Sequence, residues 1–383
     1  MLIGRNRAFT FLAVCLVLSV TRALLDLYAA DGGAVVVQNS GDSPPQLFFA
    51  CDGSAAQTTA LLTPELVADL RSLGAGIALP TDDLSDERAA LVERLNAAGV
   101  PVVASLTLPP DQGYYINAGN APQTLERFEE FDRWSGAHNL RWQAVGLDIE
   151  PNLSEFAALG NHKLRLARLA LNRWFDWQGV RRARESYSDL IGEMQSRGYF
   201  VETYQFPLIA DERDAHSTFL ERVFQLVDVR GNDEALMVYT SFHHSLGAAL
   251  VWEYGQEAQM VILGITESSG DPAMDARFPP LNWQEFSQEL IVARHFSPLI
   301  GVYNLQGAVQ QGFITKLMAM NWNAPVVISP QSITATIRVR RLVRFGLWIG
   351  SSAPYLAVVV VLFVAWIIRL LVRRKRKPPI NNH

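Results

Sequence analysis

Cysteine is scarce in this sequence, with two in 383 residues. Cys15 lies in an apolar N-terminal run and Cys51 in a predicted core strand, so they do not make a plausible disulfide pair. Basic residues are not in excess either, because 33 Lys and Arg stand against 38 Asp and Glu. The resulting formal net charge of -5 gives no support to nucleic-acid binding, and we expect no nucleic-acid partner.

Strand and helix patterns alternate through the middle of the chain. Short apolar runs are each followed by segments in which apolar residues recur at helical spacing, with Thr63 placed to begin one helix and Gly99 to end another. The predicted strands are 46–51, 76–79, 100–108, 144–149, 199–206, 235–240, 260–266 and 299–305. The predicted helices are 64–73, 86–98, 123–134, two within 154–197 that meet near 178–179, 217–227, 246–257, 283–296 and 308–320.

This alternation predicts parallel strands joined by crossover helices. Eight such units over about 280 residues favour a (β/α)₈ TIM barrel, an α/β fold. A doubly wound open sheet is the alternative, but no glycine-rich phosphate loop follows the first predicted strand, which disfavours it. In a barrel of this kind the functional site lies at the C-terminal ends of the strands.

Both ends of the chain carry apolar segments. Arg5 and Arg7 precede the apolar run 8–20, which predicts a signal peptide or a signal anchor. The run 347–368 contains no charged residue and is long enough to cross a hydrocarbon core of about 30 Å. The dense basic segment behind it predicts a cytoplasmic C-terminus and an extracytoplasmic barrel. We therefore expect a lipid bilayer partner and a location at the cell membrane.

These segments give an expected domain order. It is a signal segment at 1–30, a linker at 31–45, the barrel at 46–325, a juxtamembrane segment at 326–346, a transmembrane helix at 347–368 and a basic cytoplasmic tail at 369–383. Arg338, Arg340, Arg341 and Arg344 precede the apolar run and weaken the predicted orientation slightly.

The stretch 142–151 ends the fourth predicted strand with two carboxylates and a proline. Side chains alternate along a strand, so Asp148 and Glu150 point to one face, roughly 7 Å apart along the backbone. Like charges held close cannot both ionise cheaply, and a fold tolerates such a pair most readily where it does chemistry. The simpler interpretation is a solvated strand end whose acids cap the next helix.

Polar and aromatic residues end or follow the other predicted strands. Acids, tyrosines and amides around one barrel mouth suit a sugar, whose hydroxyls need hydrogen-bonding partners. The candidate substrate-binding residues are Asp52, Tyr204, Gln205, Glu267, Trp283 and Asn304, and Ser105, Thr107, Tyr114, Tyr115, Tyr239 and Phe242 occupy similar positions. Adjacent histidines at 243 and 244 would point apart, with no matching acid–histidine spacing nearby, so we expect no metal and no cofactor.

The fourth strand resembles that of the chitinase family of glycoside hydrolases, which are (β/α)₈ barrels. Their strand ends in Asp-Gly-x-Asp-x-Asp-x-Glu, and aligned on the last Glu this chain has Gln143, Ala144, Gly146, Asp148 and Glu150 at those positions. The family's sixth-strand Met-x-Tyr-Asp is similar to the segment 237–240, which keeps the Met and the Tyr. A similar Asp-x-Glu ends a barrel strand in the lysozyme-type muramidases.

The resemblance implies a role for each matched residue. Glu150 would be the general acid, Asp148 would orient the substrate's N-acetyl group, and Tyr239 would hydrogen-bond that acetamide. Two hypotheses follow. The chain is either a membrane-anchored glycoside hydrolase that acts on an N-acetylated polysaccharide, or a catalytically inactive barrel that binds glycan or a partner protein at the cell envelope.

Overall fold

A closed barrel of eight parallel strands forms the centre of the molecule. The computed structural model describes residues 33–40, 43–152 and 163–375, and of these the side chains of 163, 164, 166, 167 and 353–375 are outside the description. The barrel strands are β2 (Gln46–Ala50), β3 (Gly76–Pro80), β4 (Val102–Leu106), β5 (Ala144–Asp148), β6 (Val201–Gln205), β7 (Asp233–Val238), β8 (Met260–Gly264) and β9 (Leu299–Tyr303). Pairing of β9 with β2 closes the barrel, which confirms the predicted fold and excludes the open sheet.

The helices lie between these strands and around them. They are α1 (Ala55–Leu61), α2 (Pro64–Ser72), α3 (Asp86–Ala98), α4 (Ala121–Ala137), α5 (Lys163–Arg173), α6 (Trp177–Ser196), α7 (Leu208–Asp214), α8 (Phe219–Phe224), α9 (Ala248–Gly255), α10 (Pro272–Arg277), α11 (Trp283–Phe296), α12 (Leu305–Gln310), α13 (Phe313–Met318) and α14 (Pro330–Lys375). Thr63 caps α2 through its side chain, and Gly99 ends α3 in the left-handed conformation, as the sequence predicts.

Two predicted helix boundaries are wrong for local reasons. The break in the long helical region lies before residue 177, because the side chain of Asp176 accepts a hydrogen bond from the backbone N–H of Gly179 and so begins α6 there. The last predicted helix is divided into α12 and α13 at Gly312, whose φ of +67° is the left-handed conformation that glycine adopts without strain.

A small antiparallel sheet joins the two ends of the barrel segment. The strand β1 (Val35–Val37) pairs with β10 (Val326–Ile328), and Asn39 donates to the carbonyl of Ile291 on α11 at 2.9 Å. The sequence analysis gave no strand to either segment. Three residues are too few to show a two-residue alternation, so this pairing depends on the barrel bringing the segments together.

The long helix α14 packs along the outside of the barrel before it continues towards the C-terminus. Arg340 and Arg344 of α14 both form ion pairs with the buried Asp211 of α7. In the part of the chain that the structure describes, no helix is both long and apolar enough to cross a membrane. For the predicted span 347–368, the side chains from 353 onward are not described. The signal segment 1–30 and the tail beyond 375 also lie outside the described residues.

The interior of the barrel is filled by side chains that point inward from alternate strand positions. Large residues such as Phe48, Met237, Met260 and Ile262 pack beside small ones such as Ala144. Outward-pointing residues form a separate core with the helices. Each fully buried apolar side chain stabilises the fold by about 1.5–3 kcal/mol relative to an exposed one. The interior packing stops short of the strand ends, where a cavity opens.

Candidate active site

A cavity of about 300 Å³ lies at the C-terminal ends of the barrel strands. Three carboxylates line it: Asp52 after β2, Asp148 at the end of β5 and Glu150 two residues later. The two-residue alternation of a strand places Asp148 and Glu150 on this one face. The structure therefore brings the predicted acid pair into a cavity and adds a third acid from across the barrel.

Burial is the main influence on the ionisation of this pair. Burial, followed by the charges of Glu150 and Asp52, raises the pKa of Asp148 well above its usual value. Burial and the charge of Asp52 raise the pKa of Glu150 to about 7. No arginine or lysine contributes to either shift. The pair is consequently suited to hold one proton near neutral pH and to transfer it.

One oxygen of Asp148 is left without a partner. Its Oδ1 is buried and has no hydrogen bond to any residue that the structure describes. A buried unpaired polar atom costs about 1–3 kcal/mol. Such an atom facing a cavity is accounted for by a proton or a ligand group that takes up the missing hydrogen bond.

The loop after β4 forms one wall of the cavity and places two tyrosines beside the acids. The backbone N–H of Ile116 donates to the carbonyl of Asp148, and the N–H of Glu150 donates to the carbonyl of Ile116, both at 3.0 Å. Tyr114 and Tyr115 precede this contact and line the cavity. Tyr114 has a φ of +59°, a strained conformation for a tyrosine that the surrounding loop must hold in place.

Polar groups behind the loop fix its shape. The side chain of Asn120 donates to the carbonyl of Tyr115 at 2.9 Å, and its oxygen accepts from the backbone N–H of Asn117 at 2.8 Å. The hydroxyl of Tyr187, on helix α6, donates to the carbonyl of Asn117 at 2.8 Å. These buried hydrogen bonds make the tyrosine wall a preformed surface.

The opposite wall also consists of tyrosines. Tyr239 follows β7 and Tyr303 ends β9, and their rings lie 5.7 Å apart between centroids. Burial raises the pKa of Tyr239, and the charges of Glu150 and Asp148, which line the same cavity, add to the shift. Tyr303 interacts with Asp52, which helps to raise the pKa of its phenol. The two walls thus place four tyrosines around the three carboxylates. Their rings offer faces for stacking, and their hydroxyls offer hydrogen bonds.

Several other predicted residues are also found at the cavity. Tyr204 lies in its wall, on β6. Ser105, Thr107 and Phe242 line it as well.

Two candidate substrate-binding residues are not in the cavity. Gln205 is fully buried and its amide donates to the carbonyls of Val227 and Val229 at 3.0 and 3.2 Å. It points outward because its neighbour Tyr204 points inward. Trp283 begins helix α11 and packs on aromatic residues of α11 and α13. Both residues support the fold rather than the site.

Two further candidates lie one layer behind the cavity. The amide of Asn304 donates to Glu267 Oε2 at 2.6 Å and reaches Asp52 Oδ2 at 3.3 Å. Neither Asn304 nor Glu267 lines the cavity, and Asn304 is buried. The structure therefore places them behind Asp52, where the amide of Asn304 contacts both carboxylates.

Tyr303 is a cavity residue that the sequence analysis missed. The sequence analysis placed the functional residue of the eighth predicted strand one residue later, at Asn304. Gly301 and Tyr303 alternate inward on β9, so the tyrosine, one residue earlier, carries the side chain that faces the acids. An aromatic two residues after an inward glycine is the signal that would have identified it.

Among the described residues, no group of three or more His, Cys, Asp or Glu side chains is arranged to hold a metal ion. His244 instead contacts Glu285 at 2.9 Å and the carbonyl of Pro279 at 2.9 Å.

No protein-family model matches this chain, and no curated protein matches it significantly. Among solved structures, Gas2p of Saccharomyces cerevisiae, in complex with laminaritetraose and laminaripentaose, is 13% identical with a TM-score of 0.38, covering 79% of this chain and 70% of its own. D-allulose 3-epimerase from Methylomonas sp. is 11% identical with a TM-score of 0.38, covering 79% of this chain and 100% of its own. A putative aldo-keto reductase from Pseudomonas aeruginosa is 11% identical with the same score, covering 74% and 93%. Scores this low over proteins this diverse do not distinguish between activities.

Proposed function

We propose that this barrel is a glycoside hydrolase that cleaves an N-acetylated polysaccharide by acid catalysis. The observation that carries the proposal is the pair Asp148 and Glu150 in an open cavity, with burial raising the pKa of both carboxyls. A carboxylic acid that keeps its proton near pH 7 is what glycosidic bond cleavage requires, because the departing oxygen must be protonated.

Glu150 serves as the general acid in this proposal. Its proton passes to the glycosidic oxygen as the bond between that oxygen and the anomeric carbon breaks. The carbonyl oxygen of the neighbouring acetamide forms the new bond to the anomeric carbon, and Asp148 and Tyr239 hold the acetamide for this attack. Water then opens the cyclic intermediate, with Glu150 now accepting a proton from it.

The tyrosine walls provide the binding surface. Aromatic faces stack on the apolar face of a sugar ring, and phenol hydroxyls donate to its hydroxyls. The unpaired Oδ1 of Asp148 can accept a hydrogen bond from the acetamide N–H. An N-acetyl group therefore supplies a donor for a buried oxygen that has no partner among the described residues.

The first prediction tests the acid. Glu150→Gln keeps the shape of the side chain but removes the transferable proton, so we expect turnover to fall about 10²- to 10⁴-fold with little change in melting temperature. The measurement is release of reducing ends by the purified full chain from a panel of chitin-like, peptidoglycan-like and plain glucan oligomers. Hydrolysis of plain glucans alone would reject the N-acetylated substrate.

Glu289→Gln is the matched control, because Glu289 is another buried glutamate but lies on α11 outside the cavity. We expect its turnover to equal that of the parent. Unchanged turnover in Glu150→Gln would end the catalytic assignment. Glycan binding without hydrolysis in the parent would instead support the inactive glycan-binding barrel.

We further propose that the chain is anchored in the cell membrane by the uncharged run 347–368, with the barrel extracytoplasmic and the basic tail 369–383 cytoplasmic. The absence of charge over this run and the basic segment behind it support the proposal. Protease added outside intact cells should then digest the barrel and leave the tail intact. Digestion of the tail from outside would reverse the orientation.

A further inference from the structure

A buried hydrogen-bonded pair lies inside the barrel beneath the acid pair. Glu202 and Tyr204 both point inward from β6, and the Tyr204 hydroxyl donates to Glu202 Oε2 at 2.7 Å. Glu202 is 3% exposed and Tyr204 7%. The other inward residues at this depth are apolar, among them Phe48, Ala144, Ala235, Met237, Met260 and Ile262. Burying a carboxylate among apolar residues costs free energy, so a role for Glu202 is to be expected.

The strand register places this pair directly beside the acid strand. Tyr204 is the partner of Asp148 across the β5–β6 pairing, and Glu202 is the partner of Gly146. A Cβ atom built on Gly146 would lie 2.4 Å from the Tyr204 hydroxyl oxygen and 2.5 Å from its ring. Glycine at 146 is therefore what allows the tyrosine to cross over β5. The hydroxyl occupies the space that any larger residue at 146 would fill.

The position of Gly146 makes this arrangement informative. Gly146 lies one inward position before Asp148 on the same strand. The polar group below Asp148 comes from the neighbouring strand β6. It is the phenol of Tyr204, whose hydrogen is directed at the carboxylate of Glu202. The polar group in the space beside Gly146 is therefore a hydroxyl that donates to Glu202.

None of the groups around Asp148 is cationic, and no described residue donates a hydrogen bond to its Oδ1. Those that face it are Glu150 on its own strand, Asp52 from β2, Tyr114 and Tyr115 from the β4 loop, Tyr204 from β6 and Tyr239 from β7. All are acids or phenols. Around Glu202 the charged or titratable groups are Tyr204 and Asp233. Within the barrel floor, the hydroxyl of Tyr204 is a hydrogen-bond donor, and its hydrogen is directed at Glu202.

We propose that Glu202 and Tyr204 are positioning residues for the acid pair: Glu202 accepts the phenolic hydrogen of Tyr204 and so withholds it from Asp148, which leaves the pair with its shared proton. The inference rests on the glycosidase function proposed above. It assigns the barrel floor a part in the reaction that does not depend on contact with the substrate.

Glu202→Gln is the sharpest test. The new amide donates to the phenol oxygen, so the phenolic hydrogen becomes free to turn towards Asp148 and stabilise its carboxylate. The pair then loses its proton at lower pH. We expect the basic limb of the turnover–pH profile to move about one unit to lower pH, so turnover on that limb falls about tenfold.

Tyr204→Phe distinguishes redirection of the phenolic hydrogen from the mere loss of the Glu202 charge. Without the hydroxyl there is no hydrogen to redirect, so the basic limb should stay at the parent position or move to higher pH. In the double variant Glu202→Gln, Tyr204→Phe the shift caused by Glu202→Gln should disappear. Persistence of that shift in the double variant would overturn the proposal, because it would come from the removed charge alone. A move to lower pH in Tyr204→Phe would overturn it as well.

Glu289→Gln is the matched control. Glu289 is 2% exposed, and its Oε2 accepts from the Thr240 hydroxyl at 2.7 Å, the same distance as in the Tyr204–Glu202 bond. Glu289 differs from Glu202 because it lies outside the barrel interior. The basic limb of the turnover–pH profile of Glu289→Gln should therefore match that of the parent. An equal shift in this variant would show that any buried glutamate has the effect, and would reject the proposal.

A second measurement keeps the inference separate from the function. Carboxyl carbon NMR titration of the full chain follows Asp148 and Glu150 without any substrate. If no glycan is cleaved but the titration moves to lower pH in Glu202→Gln and returns in the double variant, the positioning role stands and the glycosidase proposal fails. If Glu150-dependent hydrolysis is present but neither the basic limb nor the titration moves, the positioning role alone fails.

Discussion

The carboxylates of the cavity and the carboxylate beneath α14 are both buried, yet they have opposite surroundings. Asp211 is fully buried and accepts from Arg340 at 2.9 Å, Arg344 at 2.8 Å and the hydroxyl of Tyr254 at 2.6 Å. The Arg340 guanidinium also lies 4.2 Å from the centroid of the Tyr254 ring. Every oxygen of Asp211 therefore has a donor, and the charge is neutralised where it lies.

Asp148 and Glu150 receive no such compensation. Asp148 has a buried oxygen without a partner, and the charges nearest to it and Glu150 are those of other carboxylates. The difference indicates that the same residue type serves two purposes in this fold. Asp211 attaches a helix to the barrel, whereas the acid pair stores a proton at the expense of stability.

The largest effect on stability is expected at Asp211. Asp211→Ala removes the shared acceptor of the buried Arg340, of Arg344 and of Tyr254, and leaves Arg340 with Glu257 and Arg344 with Asp214. Breaking a buried ion pair in this way costs about 3–5 kcal/mol. Urea unfolding of the full chain would measure the loss. Asp214→Ala is the control, because Asp214 pairs with Arg344 at 2.8 Å but its side chain is 46% exposed. Exposed pairs contribute about 0–1 kcal/mol, and an equal loss in both variants would remove the contrast.

The pH dependence of stability should follow the uncompensated acids. Folding raises the pKa of Glu150 from 4.5 to about 7, so between these values the folded chain holds a proton that the unfolded chain has released. Stability is therefore present below pH 4.5 and is lost as the pH rises towards 7, by up to about 1.4 kcal/mol per pH unit for each such proton. Glu212, with a pKa of about 7, and Glu289, with one of about 8, add to the same trend.

Unfolding free energies at pH 5 and pH 8 would test this. The parent should be less stable at pH 8, and the difference should be smaller in Glu150→Gln because that group no longer titrates. A parent that gains stability from pH 5 to pH 8 would contradict the assignment of burial as the main influence on the pair.

The smallest effect on stability is expected at Asp148. Asp148→Asn removes a charge that nothing neutralises, so we expect the free energy of unfolding to change by less than about 1 kcal/mol. Turnover should fall, and both limbs of its pH profile should move, because Glu150 loses its coupled partner. Melting temperature and the profile measured together would separate the two effects. A loss of stability as large as that of Asp211→Ala would make Asp148 a structural residue.

The strands and the acid pair were predictable because they depend on local periodicity. Each barrel strand is an apolar run long enough to be recognised, and the spacing of Asp148 and Glu150 places them on one face wherever the strand lies. Thr63 and Gly99 likewise act within a single turn of helix. None of these features needs knowledge of a distant residue.

Other positions depend on packing, because packing sets which of two adjacent residues at a strand end faces the cavity. Tyr204 and Gln205 are adjacent, and only one of them can face the cavity. The choice depends on Gly146, which leaves room for the Tyr204 ring from a strand more than fifty residues earlier in the chain. The same holds on β9, where Tyr303 faces the acids and Asn304 lies behind Asp52.

Sequence alone determined three features: the eightfold alternation of strands and helices, the position of two carboxylates on one face of a strand, and the uncharged run near the C-terminus. Each of these is a pattern of neighbouring residues. Only the tertiary structure decided that Glu202 lies under the acid pair, that Arg340 and Arg344 meet Asp211 and that β1 pairs with β10. Those contacts join residues that are far apart in the chain, and it is the closure of the barrel that brings them within reach.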